Sequence, residues 1–461
     1  MRPYHVAIVG SGPSGYFAAA SLLKFADSQE SQGGAGQKTD VRVDMLEMLP
    51  TPWGLVRSGV APDHPKIKSI SAQFEKTALD PRFRFFGNVA VGEHVQPAEL
   101  AERYDAVVYA VGAQSDRALG IPGEDLPGSV AAVDFVGWYN AHPHFEECAP
   151  DISCGRAVVI GNGNVALDVA RILVTDPDVL GATDIADHAL KSLHDRGVEE
   201  VLIIGRRGPL QAPFTTLELR ELGQLEGLCD VDVIIDPADF ADITDEDLEA
   251  AGKTVRNNIK VLRGYAEQTP KNAKRRIVFR FRTSPIEIKG DGRVESIVLG
   301  RNELVDDNGH IAAKDTGERE EVPAQLVVRA VGYRGVPTTG LPFDERNGTI
   351  PHTKGRIEGS RNEYVVGWIK RGPTGVIGSN KSDSQETVDT LLADLSGAQL
   401  SEFADDHSQR LAEWLVERQP KVVTDDHWRV IDEYERSAGE PHGRPRVKLT
   451  SVAEMLRIGH A

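Results

Sequence analysis

Short apolar runs alternate with amphipathic stretches along the first half of the chain. Residues 5–9 and 41–46 are apolar runs of strand length, and residues 16–25 between them have apolar positions at helical spacing. Residues 158–160 and 201–204 repeat the two apolar runs further along. Buried parallel strands have nearly continuous apolar sequences because helices cover both faces of their sheet. The pattern therefore predicts an α/β fold with two strand–helix–strand units.

A glycine-rich turn follows the first of these strands, and an acidic residue ends the second. The turn G-S-G-P-S-G places Gly10, Gly12 and Gly15 at the spacing of a dinucleotide-binding fingerprint. Glu47 follows the second strand, where a carboxylate accepts hydrogen bonds from ribose hydroxyls and repels a 2′-phosphate. The first site is therefore predicted to bind an unphosphorylated adenosine. Both FAD and NAD meet that requirement, so the motif leaves the choice open.

The second unit has the same kind of turn, but its next strand ends differently. The turn G-N-G-N-V-A contains Gly161, Gly163 and Ala166, and it opens a helix whose free N–H groups point toward bound phosphates. An NAD-binding fold would carry an acid after the next strand, whereas Arg206 and Arg207 stand here. Two planar guanidinium groups suit a 2′-phosphate. The second site is predicted to bind NADP(H), the alternative being an arginine pair on a solvated loop.

Similar sequences recur at two distant places and suggest that one domain interrupts another. Residues 104–112 and 324–332 both end in a V-V-x-A-V-G sequence and are predicted strands. We interpret them as the crossings into and out of an inserted domain. The fold class is therefore α/β with two Rossmann-like domains, the second inserted into the first. The predicted boundaries are 1–112 and 332–461 for the first domain, with C-terminal helices, and 113–331 for the inserted domain.

Other segments give weaker local predictions. Residues 27–40 are polar and glycine-rich and indicate a surface loop, and residues 52–68 are rich in Pro and Gly and indicate a loop of specified turns without helix. Residues 82–91 alternate as a strand. The later G-P-T-G turn precedes a helix start, and in a dinucleotide fold such a turn brings backbone N–H groups to a flavin.

Composition and charge narrow the function classes. Among 461 residues, 52 Lys and Arg stand against 70 Asp and Glu, and the formal net charge of −18 argues against non-specific binding to nucleic acid or anionic membranes. No apolar run approaches the about 18 residues of a membrane span, and the chain enters a strand at once. We expect a cytoplasmic protein. Its three cysteines have no metal-ligand spacing, so no metal site is predicted.

Over nearly its whole length, the sequence resembles ferredoxin-NADP reductases of the adrenodoxin reductase type. The matching segments are G-S-G-P-S-G at 10–15, P-W-G-L-V-R-S-G-V-A-P-D-H-P at 52–65, F-F-G-N-V-A-V-G at 85–92, I-P-G-E-D-L-P-G at 121–128, G-N-G-N-V-A-L-D-V-A-R at 161–171, G-R-R-G-P-L-Q at 205–211 and G-W-I-K-R-G-P-T-G-V-I-G at 367–378. The resemblance implies FAD, and not NAD, at the first site.

The resemblance also implies which residues hold the two nucleotides. Those implied for FAD are Ser14, Glu47, Leu55, Val91, Trp368 and the backbone of Gly375, Val376 and Ile377. Those implied for NADP are Asn162, Gly163, Asn164, Val165, Arg206, Arg207, Glu218 and Gly375, with Arg117 reaching the same nucleotide. Glu218 would lie near the nicotinamide, its alternative being a solvated carboxylate on a helix.

A reaction between two nucleotides needs no side-chain nucleophile. Flavin accepts a hydride from NADPH and returns single electrons, which no amino acid can do. We take His64 and Glu221 as candidates for controlling a proton near the flavin, because histidine titrates near neutrality. The alternative is that His64 only supports the P-D-H-P turn. The chain has no cysteine pair beside a flavin, which argues against a thiol-disulfide reductase.

The resemblance implies a small acidic iron-sulfur protein, a ferredoxin, as the electron acceptor. Lys24 and Arg220 occupy positions that match docking residues of the family. Residues 236–249 depart from it, because they are acidic where the adrenal enzymes carry further docking arginines. Charge attraction is therefore a weaker guide to docking here.

Three other functions remain as alternatives. Residues 135–142 partly match a flavin monooxygenase signature, although His142 stands one place late and no tryptophan closes the motif. A subunit that feeds electrons to a larger complex, or a diaphorase-like enzyme with another acceptor, is the second. The third is a non-catalytic NADP(H) sensor. The sequence leaves the oligomeric state open.

Overall fold

A computed structural model describes residues 2–31, 40–375, 377–398 and 403–461. Most of the sheet structure lies in two parallel sheets. The first has seven strands, in the order His352–Thr353, Arg356–Ile357, Glu363–Val365, Ala106–Tyr109, Tyr4–Val9, Val41–Leu46 and Phe83–Phe86. From Glu363–Val365 onward its strands are parallel, while the first two form an antiparallel edge.

The second sheet has six strands, all parallel, which come from the middle of the chain. Their order is Ser129–Ala131, Leu326–Arg329, Arg156–Ile160, Glu200–Gly205, Arg275–Phe281 and Val231–Ile234. A three-stranded antiparallel sheet, Thr283–Lys289, Ser296–Asp307 and His310–Pro323, packs against one face. The α/β fold class with two nucleotide-binding units is confirmed.

Helices cover the faces of both large sheets. In the described part of the chain the α-helices are Pro13–Ser31, Leu55–Ser58, Pro65–Lys68, Ser71–Ala78, Pro97–Arg103, Ala132–Tyr139, Asn164–Val174, Pro177–Leu180, Asp187–His194, Thr216–Leu228, Asp245–Ala250, Lys253–Ala266, Trp368–Arg371, Ser379–Gly397, His407–Arg418, Asp425–Gly439 and Val452–Gly459. Short 3₁₀ turns occur at Pro143–Cys148, Pro209–Gln211, Pro237–Phe240 and Glu440–His442. Among the described residues, every helix is too short or too polar to cross a membrane.

The two similar V-V-x-A-V-G segments are equivalent strands of the two sheets. Each lies parallel to the strand that ends in a fingerprint glycine, and a Cβ on Gly10 would stand 2.6 Å from the Ala110 carbonyl oxygen. A Cβ on Gly161 would stand 2.2 Å from the Ala330 carbonyl oxygen, so a side chain is excluded at both turns. The chain crosses between the sheets just after these strands, where Ser115–Asp116 pairs with Tyr333–Arg334.

Three local predictions need correction. The first helix extends to Ser31, so the predicted loop at 27–40 begins as helix, and residues 32–39 lie outside the described residues. The 52–68 segment contains two single-turn helices, Leu55–Ser58 and Pro65–Lys68. Proline is compatible with a helix start, and Pro65 occupies the first position of the second helix. The strand predicted over 82–91 ends at Phe86, since Asn88 turns left-handed at φ 60°.

Candidate active site

The first glycine turn and the 52–56 loop together form a cradle at the end of strand Tyr4–Val9. Gly12 faces open space, and Gly54 approaches it so closely that a Cβ there would stand 2.9 Å from the Gly12 Cα. The Trp53 N–H donates to the Ser11 carbonyl at 3.1 Å and fixes the loop over the turn. Gly15 lies in the first turn of the helix that begins at Pro13. The helix N-terminus and the open backbone suit a pyrophosphate.

Glu47 stands at the end of its strand with its carboxylate held in place. One oxygen accepts from the Ser11 N–H at 2.9 Å and from the Ser11 hydroxyl at 2.6 Å. The other accepts from the Leu49 N–H at 3.1 Å. An ionised carboxylate offers about four lone-pair positions, so it can still accept from ribose hydroxyls. Its placement fits the predicted role at an unphosphorylated ribose.

The segment before the late G-P-T-G turn comes back to the start of the first helix. Gly367 has φ 78°, and a Cβ there would stand 2.2 Å from the Ser14 hydroxyl oxygen, so only glycine fits. The Ser14 hydroxyl lies 3.1 Å from Asn380 Oδ1, and the next residue, Trp368, stacks on Tyr333 with ring centroids 5.6 Å apart. Ser14 and the 367–368 segment are thus brought together.

The remaining residues predicted for this site have fewer contacts with the cradle. Leu55 is 36% exposed on its single-turn helix, and Val91 is half-buried and bridges to Val95. Gly375 stands just before the helix Ser379–Gly397, and Ile377 packs against the core of the first sheet. Val376 lies outside the described residues.

The second fingerprint forms the matching cradle in the second sheet. Gly163 is the N-cap of helix Asn164–Val174, and Asn164 Oδ1 accepts from the Thr215 N–H at 2.8 Å. The Asn162 side chain packs against Gly205, where a Cβ on the glycine would stand only 2.5 Å from Asn162 Nδ2. Val165 is half-buried, and Ala166 is fully buried under the helix start. The turn brings residues 161–166 to one edge of the sheet.

Two guanidinium groups stand free at the end of the next strand. Arg206 is exposed and Arg207 is half-buried directly after Glu200–Gly205. The Arg206 carbonyl accepts from Asn302 Nδ2 at 2.9 Å, and the Arg207 carbonyl from the Arg282 N–H at 3.0 Å, so the backbone is fixed. Within the described ranges, neither guanidinium has a hydrogen bond or an ion pair. Fixed backbone with unpaired cations fits an anion site.

Arg117, also predicted for this nucleotide, lies on the crossing segment. Its side chain is exposed, and its N–H donates to the Gly332 carbonyl at 3.2 Å. Lys24 and Arg220, the predicted docking residues, are both exposed, on helices Pro13–Ser31 and Thr216–Leu228 respectively.

A buried charged cluster joins the 61–68 loop to the second sheet's helices. His64 Nε2 lies 2.7 Å from Glu221 Oε2, 3.5 Å from Glu218 Oε2 and 3.8 Å from Asp168 Oδ1. Beside them, the Arg171 guanidinium binds both oxygens of Asp63 at 2.7 and 2.8 Å. It also donates to Asp168 at 2.9 Å. The three predicted residues His64, Glu218 and Glu221 therefore do come together.

Two buried atoms of the cluster lack a well-aligned hydrogen bond to any described residue, namely His64 Nε2 and Glu218 Oε2. The Glu221 contact with His64 is thus an ion-pair approach without hydrogen-bond alignment. His64, Asp168 and Glu218 also place possible ligand atoms within 4.8 Å of one another. Because the Arg171 guanidinium already supplies a cation to these acids, we assign no metal.

Burial and neighbouring charges shift the pKa values of these groups in different directions. Burial lowers the pKa of His64, but the Glu221 contact and the nearby acids outweigh it and raise that pKa above 6.5. Burial, followed by repulsion from Asp168, raises the pKa of Glu218 to about 7. For Glu221, burial is outweighed by His64 and Arg171, which lower its pKa. Glu218 therefore changes charge near neutral pH, while His64 keeps its proton to a higher pH than an ordinary histidine.

Sequence reasoning missed Asp63, Asp168, Arg171 and Tyr333. Asp168 and Arg171 are charged residues within the otherwise apolar helix Asn164–Val174, three positions apart, and that departure from the apolar pattern was the available signal. Asp63 stands in the already noted P-D-H-P turn. Tyr333 had no signal in the sequence, because its partner Trp368 is distant in the chain.

Comparison with known proteins relates the chain to a family of oxidoreductases. The family model for pyridine nucleotide-disulphide oxidoreductases matches residues 4–222. NADPH-ferredoxin reductase FprA of Mycobacterium leprae (strain TN) is 73% identical, with 100% of both chains covered. Mitochondrial NADPH:adrenodoxin oxidoreductase of Salvelinus fontinalis is 41% identical, covering 99% of this chain and 91% of the relative. The solved structure of Mycobacterium tuberculosis FprA in complex with NADPH superposes with a TM-score of 0.96, at 72% identity and 100% coverage of both chains.

Proposed function

The chain belongs to the NADPH-ferredoxin reductases of the adrenodoxin reductase type, and on that premise we propose that it passes electrons from NADPH through FAD to a ferredoxin. When bound, FAD accepts a hydride from NADPH and returns the two electrons singly to one-electron acceptors. The observation that carries the proposal is the pair of glycine cradles in one chain, one ending in Glu47 and the other in Arg206 and Arg207.

We propose the following roles for the chain's own groups. Glu47 orients the FAD ribose, and Ser14, Leu55, Val91, Trp368 and the 375–377 backbone hold the rest of that nucleotide. Arg206 and Arg207 bind the 2′-phosphate of NADP, while residues 162–165 bind its pyrophosphate and Arg117 supports it. Glu218 Oε2, which is buried without a donor among the described residues, suits the amide N–H of a nicotinamide.

His64 and Glu221 are proposed to hold a proton beside the reacting rings. Their 2.7 Å approach places a carboxylate beside His64 Nε2, where it favours the protonated ring, and His64 and Arg171 together keep Glu221 ionised. Glu218, with a pKa of about 7, is a second group able to change protonation near neutrality. Helix and loop packing around the cluster leaves the His64 side chain only 4% exposed, which limits exchange with bulk water.

Several finer assignments are also proposals. The boundaries 1–112, 113–331 and 332–461 are supported by the pairing of the two crossing strands. A reducing, cytoplasmic location is supported by three free cysteines. Docking of an acidic ferredoxin at Lys24 and Arg220 is supported by their exposure. The monooxygenase alternative gains nothing, because Phe135 of its partial motif is buried in the second sheet's core.

An anaerobic stopped-flow experiment tests the proposed function. The purified holoenzyme is mixed with NADPH or NADH, and then with oxidised ferredoxin, while flavin absorbance is followed. We expect bleaching by NADPH at far lower concentration than by NADH, and rapid return of the absorbance with ferredoxin. Bleaching without return would reject ferredoxin as the acceptor, and no bleaching would also reject the NADPH reaction and leave a sensor.

Replacing Glu47 by alanine is expected to weaken FAD retention. The variant loses a carboxylate that is fixed by three hydrogen bonds and aimed at the ribose, and a hydrogen bond to a charged group contributes about 1.5–3 kcal/mol. The apparent affinity for FAD should fall by about tenfold or more. It is measured from the flavin retained after dialysis, as flavin absorbance relative to protein. Glu93→Ala, on the surface of the same domain, is the control. Full flavin retention in Glu47→Ala would reject the ribose role.

The charge of Glu221 is expected to set the pH dependence of flavin reduction. His64 has a raised pKa partly because Glu221 favours its protonated form, so protonation now persists above pH 6.5 and is lost as the pH rises further. In Glu221→Gln we expect the high-pH decline of kcat/KM for NADPH, measured with ferricyanide as acceptor, to begin at lower pH. In His64→Gln the high-pH decline of kcat/KM that we assign to His64 should be absent. Identical profiles for wild type and Glu221→Gln would contradict this role.

A further inference from the structure

Two segments that pack with the first sheet reach across to the second. Residues 63–68 follow the first-sheet loop, and Leu449 of the C-terminal segment is buried in the first sheet's core. Across from them, Ile185 and Ala186 are buried in the core of the second sheet. We call each large sheet, together with the helices and loops packed on it, the first body and the second body. Residues 183–187 are therefore the surface of the second body that meets both segments.

A buried carboxylate lies between two lysines at this junction, and we call Lys68, Asp184 and Lys448 the junction triad. Lys68 Nζ lies 2.6 and 2.8 Å from the two Asp184 oxygens, and Lys448 Nζ lies 3.1 Å from one of them. The Asp184 side chain is 10% exposed and that of Lys448 is 1% exposed. One acid of the second body thus pairs with ammonium groups from two separate segments of the first.

Further contacts surround the triad. Lys448 Nζ also donates to the Arg57 carbonyl at 2.9 Å and to the Asn140 carbonyl at 3.3 Å. Arg444 donates to the Thr183 carbonyl at 2.9 Å and pairs with Asp187. Every one of these contacts except that to Arg57 joins the first body to the second. Buried charges are costly to leave unpaired, so an orientation that separated them would be strongly disfavoured.

The triad is directly connected to the candidate proton-handling pair. Lys68 is the last residue of the single-turn helix Pro65–Lys68, and its N–H donates to the His64 carbonyl at 3.1 Å. His64 at the other end of that helix meets Glu221 of the second body. A shift of Asp184 relative to Lys68 would therefore also shift Glu221 relative to His64.

We propose that Asp184, paired with Lys68 and Lys448, is a positioning residue for hydride transfer. It holds the NADP-binding sheet against the FAD-binding sheet in the orientation in which His64 meets Glu221. The inference rests on the proposed function, because it concerns the distance between the two nucleotides. Misplacement by about 1 Å can slow a reaction about a hundredfold, so a small loss of alignment is measurable.

Asp184→Asn tests the proposal, because it keeps the shape of the side chain and removes its charge. In the holoenzyme we expect the rate of flavin bleaching at saturating NADPH to fall between about tenfold and a hundredfold. Affinity for NADP⁺ should stay within about twofold, since Arg206 and Arg207 lie wholly in the second body. Reoxidation of the dithionite-reduced enzyme by ferricyanide, which needs no NADP, should be unchanged. Asp195→Asn, an exposed acid of the same body, is the matched control.

A second variant keeps the test decisive if Asp184→Asn fails to hold flavin. Lys448→Gln leaves the Lys68–Asp184 pair intact, and it should slow bleaching by NADPH in the same selective way. Bleaching within about threefold of wild type in the variant that retains FAD would overturn the proposal. Equal losses of NADP⁺ affinity, ferricyanide reoxidation and bleaching would overturn it too, because they would show a general structural role. A wild-type enzyme that NADPH does not bleach would instead refute the proposed function.

Discussion

Replacing both Arg206 and Arg207 by alanine is expected to raise the KM for NADPH by about two to four orders of magnitude. Each charge-assisted hydrogen bond to a phosphate contributes about 1.5–3 kcal/mol, and about 1.4 kcal/mol is a factor of ten in affinity. Both guanidinium groups lack partners in the described part of the chain, so removing them leaves no buried acid unpaired. The protein should therefore fold normally and lose only the phosphate contacts.

The diagnostic quantity is the ratio of kcat/KM for NADPH to that for NADH, measured with ferricyanide as acceptor. NADH has no 2′-phosphate, so its kcat/KM should stay within about threefold and the preference should shift toward NADH. Each single variant should account for roughly half of the free energy, or about one to two orders of magnitude. Arg293→Ala, which removes an exposed arginine elsewhere in the same body, should leave the ratio unchanged. An unchanged ratio in the double variant would remove the NADP assignment from this strand end.

Local sequence signals were sufficient for the two nucleotide cradles. The strand Val41–Leu46 was predicted with its observed bounds, and Gly10 and Gly161 form turns at the predicted places. Both features were predictable because apolar runs and glycine spacing involve residues that are neighbours in the chain. The short strands at the chain crossing had no such signal. The repeated V-V-x-A-V-G segments are equivalent strands, and the crossing pair Ser115–Asp116 and Tyr333–Arg334 is too short to have a periodic pattern.

The charged contacts between the two bodies could not be predicted in the same way. Asp63 and Arg171 are 108 positions apart, and Lys448 and Asn140 are 308 apart, so no spacing rule connects them. Each of these residues, taken alone, is of a charged or polar type that ordinarily lies on the protein surface. Only the packing of helix Asn164–Val174 against the 61–68 loop makes Arg171 a buried cation surrounded by acids. Burial, and not sequence, gives these residues their chemical role.

Replacing Arg171 by methionine is therefore expected to destabilise the holoenzyme by about 3–5 kcal/mol, the usual cost of removing one partner from a buried ion pair. The Arg171 side chain is 3% exposed and binds Asp63 through two hydrogen bonds, with Asp168 at 2.9 Å and Glu221 at 3.5 Å. Methionine fills much of the same volume but leaves these carboxylates without a cation. Arg171→Lys keeps the charge and loses the two-pronged geometry, so its loss should be smaller.

Urea unfolding followed by circular dichroism and by flavin fluorescence measures this effect. Arg319→Met, which breaks an exposed pair with Asp315, is the control and should leave the stability nearly unchanged. Arg171 opposes burial and lowers the pKa of Asp63, so its stabilising effect is present above the unfolded pKa of Asp63 and is lost as the pH falls through the folded one. The difference between wild type and Arg171→Met should therefore be largest near pH 7 and shrink on acidification. A difference that stays constant with pH would mean that lost packing, and not the unpaired carboxylates, destabilises the variant.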